Sequence, residues 1–104
     1  MTEQRVRTTQ WSVLREEALG DPEVRAAYEK RRLAYELGQQ VRRLREDAGL
    51  TQEELAERIH STQGTIARLE AGGREPAVST LARIAAALDA EVELRLVPRS
   101  SQRR

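Results

Sequence analysis

The sequence predicts a mainly α-helical protein with a single β-strand near its C-terminus. Two observations indicate helices: charged residues make up 34% of the 104 residues, and apolar residues recur at spacings of three and four along most of the chain. The third observation is a change of period to two at residues 91–97, where Val92, Leu94 and Leu96 alternate with charged or polar neighbours. A chain of this length fits one domain.

The composition excludes several kinds of site. The chain has no Cys and one His, so disulfides, thiolate metal sites and catalytic Cys or His pairs are not expected. We expect no metal, no other cofactor and no enzyme activity, because Glu53, Glu54 and Glu57 share one short helix without acid–base partners. The formal net charge is only +1, so any DNA contact must come from locally placed groups.

Sequence patterns divide the chain into five segments. We predict a flexible leader at 1–10, an N-terminal helical segment at 11–36, a helix-turn-helix DNA-binding domain at 37–90, a dimerisation strand at 91–97 and a flexible basic tail at 98–104. The chain contains no apolar run of membrane-spanning length and no signal peptide after Met1. We therefore expect a cytoplasmic location.

The N-terminal segment contains two helix patterns. One begins near Trp11 and ends at Gly20, and the next begins at Asp21-Pro22-Glu23, where the acidic cap and the proline suit the first turn of a helix. This second pattern runs to Ala48, but its two apolar stripes are out of register. We expect either a bend near Tyr35 to Gly38 or one long helix that packs against two different neighbours.

The stretch from Thr51 to Glu70 predicts two short helices joined by a tight turn. Thr51 and Glu54 have the spacing of a capping box, His60 lies in the turn, and Thr62 caps the second helix. The residues expected to face inward are Leu55, Ala56, Ile59, Ile66 and Leu69. Such a pair leaves the first turn of its second helix free to enter the major groove of DNA. A further helix is predicted at 78–88, with Val78, Leu81, Ile84, Ala85 and Leu88 on one face.

The segment 37–88 resembles the Cro/C1-type (XRE) helix-turn-helix family of phage and bacterial repressors, through LREDAGLTQEELAERI, TIARLEAG and LARIAAAL. The resemblance implies a five-helix, lambda-repressor-like DNA-binding domain, here with extra N-terminal helices and one C-terminal strand used in dimerisation. From Trp11 onward, the order WSVLREEAL, DPEVRAAYE, helix-turn-helix and VELRLVP is similar to antitoxins of the HigA type. This wider resemblance implies neutralisation of a HigB/RelE-type RNA-cleaving toxin and repression of the chain's own operon.

The expected DNA-binding residues surround the start of the second helix of the pair. Gln63 can form paired hydrogen bonds to adenine, Arg68 can reach a phosphate or a guanine edge, and Gln52 can meet a phosphate. Gly64 stands where a side chain would normally face bases; it allows a close approach at a cost in helix stability. His60 occupies a turn position at which the family usually has glycine. The full predicted set is Gln52, Thr62, Gln63, Gly64, Thr65, Arg68 and Arg74.

Two further surfaces are predicted to bind proteins. The toxin is expected to contact Trp11, Leu14, Leu19, Val24, Tyr28 and Tyr35, although Trp11 fits a core-capping role equally well. A lone strand needs a partner, so Val92, Leu94 and Leu96 are expected to mediate a homodimer; pairing with the toxin's sheet is the alternative. We expect a solvated helix face at Arg31, Arg32, Arg42, Arg43 and Arg45. The alternative function is a stand-alone XRE-family repressor without a toxin partner.

Overall fold

A computed structural model describes residues 20–99 of the chain. Within this range the chain forms four helices and no β-strand. They are α1 (Pro22–Asp47), α2 (Gln52–Arg58), α3 (Gln63–Glu70) and α4 (Val78–Ala87). The helix predicted from Trp11 to Leu19 lies outside the described residues.

The prediction of five helices and a C-terminal strand is wrong. Of the two arrangements expected near Tyr35 to Gly38, the long helix is present, because α1 runs unbroken for 26 residues. Residues 91–98 adopt no regular secondary structure. Alternating side chains alone do not make a strand, which needs a second strand for its hydrogen bonds, and residues 20–99 supply none. Val92 instead packs beside the helical core, and Leu96 is fully exposed.

Helix α1 starts at the predicted cap and packs only through its second half. The Asp21 carboxylate accepts a hydrogen bond from the backbone N–H of Glu23 at 2.9 Å, and Pro22 occupies the first helical position. All residues from 21 to 33 are exposed, whereas Ala34, Gly38, Val41 and Arg45 are buried. The helix therefore extends as an arm from the domain. We call residues 21–33 the α1 arm.

The core is aliphatic and is formed by all four helices. Its buried members are Val41, Leu55, Ala56, Ile59, Ile66, Leu69, Leu81, Ile84 and Leu88. Every residue predicted to face inward from α2 and α3 is buried, which confirms that part of the prediction. Val78 was predicted to face the core, but 58% of its surface is exposed. It is the first residue of α4, where the helix has only begun to pack.

Gly38 allows α1 to cross closely over the end of α3. A Cβ at position 38 would lie 2.7 Å from the backbone oxygen of Glu70 and closer still to that of Leu69. Two backbones at this separation leave no room for a methyl group, so any larger residue would force the helices apart. The crossing brings α1 beside the helix that is predicted to read DNA.

Candidate nucleic-acid interface

The turn between α2 and α3 is set by backbone hydrogen bonds. The N–H of Ser61 donates to the carbonyl of Ala56 at 2.8 Å, and that of His60 donates to the carbonyl of Glu57 at 3.2 Å. This is a Schellman ending, in which the residue after the cap has a positive φ. His60 takes that position with φ of 57°, so the side chain that replaces glycine is accommodated in the left-handed region.

Both helices of the pair begin with the predicted caps. Thr51 Oγ1 accepts from the N–H of Glu54 at 3.0 Å, and the Glu54 carboxylate accepts from the N–H of Thr51 at 2.8 Å, which completes the capping box. At α3, Thr62 Oγ1 accepts from the N–H of Thr65 at 3.3 Å and lies 2.9 Å from the Thr65 hydroxyl. The first turn of α3 is thereby held in helical form while it stays open to solvent.

A hydrogen bond between two glutamines joins the first turns of α2 and α3. Gln63 Nε2 donates to Gln52 Oε1 at 2.7 Å, and Gln52 Nε2 donates in turn to Glu70 Oε1 at 3.0 Å. Gln63 is exposed, Gln52 is half-buried and Glu70 is buried. The series of bonds therefore connects the solvent-facing end of α3 to a fixed group in the interior.

That fixed group is a buried ion pair between α1 and α3. Arg45 donates to Glu70 through Nε at 2.6 Å and through Nη2 at 3.0 Å, and its Nη1 donates to the carbonyl of Leu50 at 2.7 Å. The hydrogen bond to Glu70 raises the pKa of Arg45 above its usual range, although burial acts in the opposite direction. A paired carboxylate with several donors is a rigid support for Gln52.

The prediction that Arg45 belongs to a solvated helix face is wrong. Its side chain is only 11% exposed, whereas Arg31, Arg32, Arg42 and Arg43 are exposed as predicted. The burial could have been inferred from spacing, since Arg45 continues the stripe of Ala34, Gly38 and Val41. Because Arg45 was predicted to be an exposed charge, the ion pair between Arg45 and Glu70 was also missed.

Six of the seven predicted DNA-binding residues lie on α3, at its cap, or at the start of α2. These are Gln52, Thr62, Gln63, Gly64, Thr65 and Arg68. The seventh, Arg74, follows the opposite end of α3 and is exposed. No hydrogen bond or ion pair among the described residues connects Arg74 to the other six. The exposed carboxylate of Glu53 lines the same shallow hollow as Gln52 and Gln63.

Three of the predicted toxin contacts can be located in the structure. Val24 and Tyr28 lie on the α1 arm and Tyr35 lies just beyond it, with exposures of 41%, 41% and 55%. Their spacing of four and seven residues places them on one face of the helix. The other three, Trp11, Leu14 and Leu19, lie outside the described residues.

The predicted dimerisation residues lie in the extended segment after α4. Val92 is half-buried against the core, Leu94 is 65% exposed and Leu96 is fully exposed. Leu94 borders an apolar groove that also includes Leu37 and Leu44 of α1.

Residues 20–99 also bear on metal binding and on membrane insertion. In that range no cluster of His, Asp or Glu is placed to hold a metal ion. None of the four helices found there is long and apolar enough to cross a membrane.

Comparison with known proteins connects this geometry to transcriptional regulation. The helix-turn-helix family (HTH_3) matches residues 41–94. The chain is 49% identical, over 51 residues, to an uncharacterized HTH-type transcriptional regulator of Methanothermobacter thermautotrophicus, covering 49% of this chain and 74% of that protein. It is also similar to the crystal structure of the clp gene regulator ClgR from C. glutamicum, with a TM-score of 0.57 and 38% identity over 58% of this chain and 77% of that one. The family match includes both α2 and α3.

Proposed function

The chain belongs to the Cro/C1-type (XRE) helix-turn-helix family of DNA-binding transcriptional regulators, and from that membership we propose that it represses its own operon through helix α3. The family predicted from the sequence motifs is thus confirmed. The observation that carries the proposal is the fixed position of Gln63. Its amide is exposed at the start of α3 and is held by Gln52, so its remaining donor and acceptor are oriented before DNA arrives.

In this proposal the residues around Gln63 divide between bases and backbone. A glutamine amide matches N6 and N7 of adenine in the major groove. The remaining N–H groups of the first turn of α2 and the hydroxyl of Thr62 suit phosphate oxygens, and Arg74 meets a phosphate farther along the duplex.

DNase footprinting of the DNA upstream of the gene that encodes this chain tests operator binding. Wild-type protein should protect a site there, and Gln63→Ala should need a concentration about 5- to 150-fold higher for the same protection. Ser79→Ala is the control, because Ser79 is exposed on α4 and borders neither the apolar groove nor the Gln52–Gln63 hollow. A footprint that is unchanged in Gln63→Ala would contradict the proposed role of α3.

We further propose that the chain is the antitoxin of a HigB/RelE-type RNA-cleaving toxin. The α1 arm supports this, since it extends from the domain with every residue exposed and presents Val24 and Tyr28 on one face. A minimal repressor needs no such arm, and an amphipathic helix face is a common docking element for a protein partner. With operator DNA and the toxin as partners, we expect the chain to act in the cytoplasm.

The product of the neighbouring gene is the probe for toxin binding. Calorimetry should show tight binding to the full chain, and Val24→Asp/Tyr28→Asp should weaken it by about 2 kcal/mol or more, as expected for hot-spot residues. Operator affinity should not change in this variant. Ser79→Asp, an exposed position on α4, is the charge control. Deleting residues 1–20 should also weaken toxin binding far more than operator binding.

A stand-alone repressor is the second candidate function. Its support is that both similar proteins are named as regulators, of which one regulates clp genes. If the neighbouring product does not arrest growth when expressed alone and does not bind the chain, the stand-alone function replaces the antitoxin function. DNA binding through α3 is common to both.

We also propose that the functional unit is a homodimer. Leu94 exposes apolar surface beside the groove at Leu37 and Leu44, and Leu96, two residues later, is fully exposed. Val92 anchors the segment on the core. A second copy with the same surface can cover both. A two-fold dimer would present two α3 helices to half-sites about 34 Å apart.

A further inference from the structure

Gly64 lies in the first turn of α3, where nothing within the described protein requires a glycine. A Cβ at position 64 would meet no atom within 4 Å except Nη1 of Arg68, at 3.9 Å, which is an ordinary contact. By contrast, a Cβ at Gly38 or Gly72 would collide with backbone atoms. Since alanine in a compatible conformation is more stable than glycine, the bare position costs stability without serving the fold.

Among residues 20–99, and apart from the two chain neighbours of Gly64, Arg68 is the side chain that comes within 4 Å of a Cβ built at position 64. It lies four residues after Gly64 on the same face of α3, and it is exposed. Long side chains in helices lean toward the N-terminus, which brings its guanidinium over Gly64 and level with the first turn. Among residues 20–99, its guanidinium has neither a hydrogen bond nor an ion pair, so its five donors remain available there.

We propose that Gly64 and Arg68 form one reading unit, in which the Gly64 backbone is the floor of a slot for a guanine edge and Arg68 holds that guanine. The planar guanidinium matches O6 and N7 of guanine with two parallel hydrogen bonds. A methyl group at position 64 is harmless in the free protein, but it occupies the space between the helix and the incoming base. The inference rests on the proposed DNA reading by α3.

Selection from a random-sequence duplex library with the full-length chain tests the unit. The wild type should enrich sites in which each half-site contains one required guanine next to the position that is sensitive to Gln63. Gly64→Ala and Arg68→Ala should lose the guanine preference and bind the wild-type site about 5- to 150-fold more weakly, the loss expected for one bidentate pair. Ser79→Ala, exposed on α4, should leave both unchanged.

Thermal unfolding separates a recognition defect from a folding defect. Gly64→Ala should raise the Tm by about 2–8 °C while it weakens binding. Arg68→Ala separates the two contacts open to Arg68, because loss of a phosphate contact weakens binding to all sequences alike, whereas loss of the paired bonds to guanine also removes the guanine preference.

The selection experiment distinguishes failure of the Gly64–Arg68 unit from failure of DNA reading by α3 as a whole. If Gly64→Ala or Arg68→Ala keeps the guanine preference and wild-type affinity, the reading unit is overturned, even where Gln63→Ala alters selection and DNA reading by α3 stands. If the wild type enriches no sequence, the proposed function fails and the reading unit fails with it.

Discussion

The side chain of Gln63 donates from Nε2 to Oε1 of Gln52 at 2.7 Å, which joins the first turn of α3 to the first turn of α2. Gln52 in turn donates to Glu70, whose carboxylate is paired with Arg45 in the interior. Gln63, the exposed residue that we propose to read DNA, is therefore connected to a buried ion pair through a single intermediate, Gln52. We therefore expect substitutions at the two exposed or half-buried glutamines to alter DNA binding, and substitutions in the ion pair to alter stability as well.

The two glutamines should be coupled in DNA binding. Gln63→Ala should weaken binding to the preferred site by about 1–3 kcal/mol, because the bonds to the base are lost. Gln52→Ala should also weaken it, since Gln63 loses its support. Anisotropy titration of the single and double variants gives their coupling energy. Strict additivity of the two losses would show that Gln52 does not position Gln63.

Replacing the buried ion pair should distinguish folding from positioning. Glu70→Ala should lower the free energy of unfolding by about 3–5 kcal/mol, because Arg45 is left charged and buried without its partner. The double variant Arg45→Met/Glu70→Leu should stay folded near wild-type stability but bind the operator more weakly, since Gln52 has lost its acceptor. Urea unfolding and anisotropy measure the two effects. Full operator affinity in a folded double variant would exclude a positioning role for the pair.

The Arg45 contribution to stability should not depend on pH in the usual range. Its pKa is raised in the folded state, so its stabilisation is complete below the unfolded pKa and is lost only as the pH rises through the higher folded value. Changing the pH between about 6 and about 10 should therefore leave the difference in unfolding free energy between the wild type and Arg45→Met/Glu70→Leu constant, because an arginine stays protonated there and the double variant leaves no unpaired buried carboxylate. Urea unfolding at several pH values measures this difference, and a slope against pH within the range would refute the prediction.

The turn should become more stable with glycine at its left-handed position. His60 has φ of 57°, a region that costs L-residues free energy but not glycine. His60→Gly should raise the free energy of unfolding by about 0.5–1 kcal/mol, and His60→Val should lower it, because branching at Cβ makes this region worse. Asp89 has φ of 58° after α4, so the same two substitutions at position 89, to glycine and to valine, repeat the test at a second site. Calorimetric unfolding that ranks valine above glycine would contradict the turn geometry.

The exposed leucines after α4 should control self-association. Leu94→Asp/Leu96→Asp should convert a dimer into a monomer, because two charges would be placed at an apolar contact. Sedimentation at micromolar concentration measures the mass, and Val78→Asp, at another exposed apolar position, is the control. A wild-type chain that sediments as a monomer would contradict the proposed homodimer.

Local patterns in the sequence were enough to predict the helix starts and the helix-turn-helix. Asp21, Thr51 and Thr62 cap their helices as expected, because a cap depends on residues only two or three positions away. The C-terminal segment was mispredicted because a strand depends on a partner that alternation does not specify. Arg45 was misassigned because its charge suggested solvent, while its partner Glu70 lies 25 residues away in sequence and only folding brings the two together.

The sequence preference of the wild-type chain decides whether α3 reads DNA. Anisotropy titration at one fixed salt concentration should compare the duplex selected from a random library with a scrambled duplex of equal length and composition. We predict that the selected duplex binds at least about 1,000-fold more tightly, as specific sites do. Equal affinity for the two duplexes would contradict sequence-specific recognition by this chain.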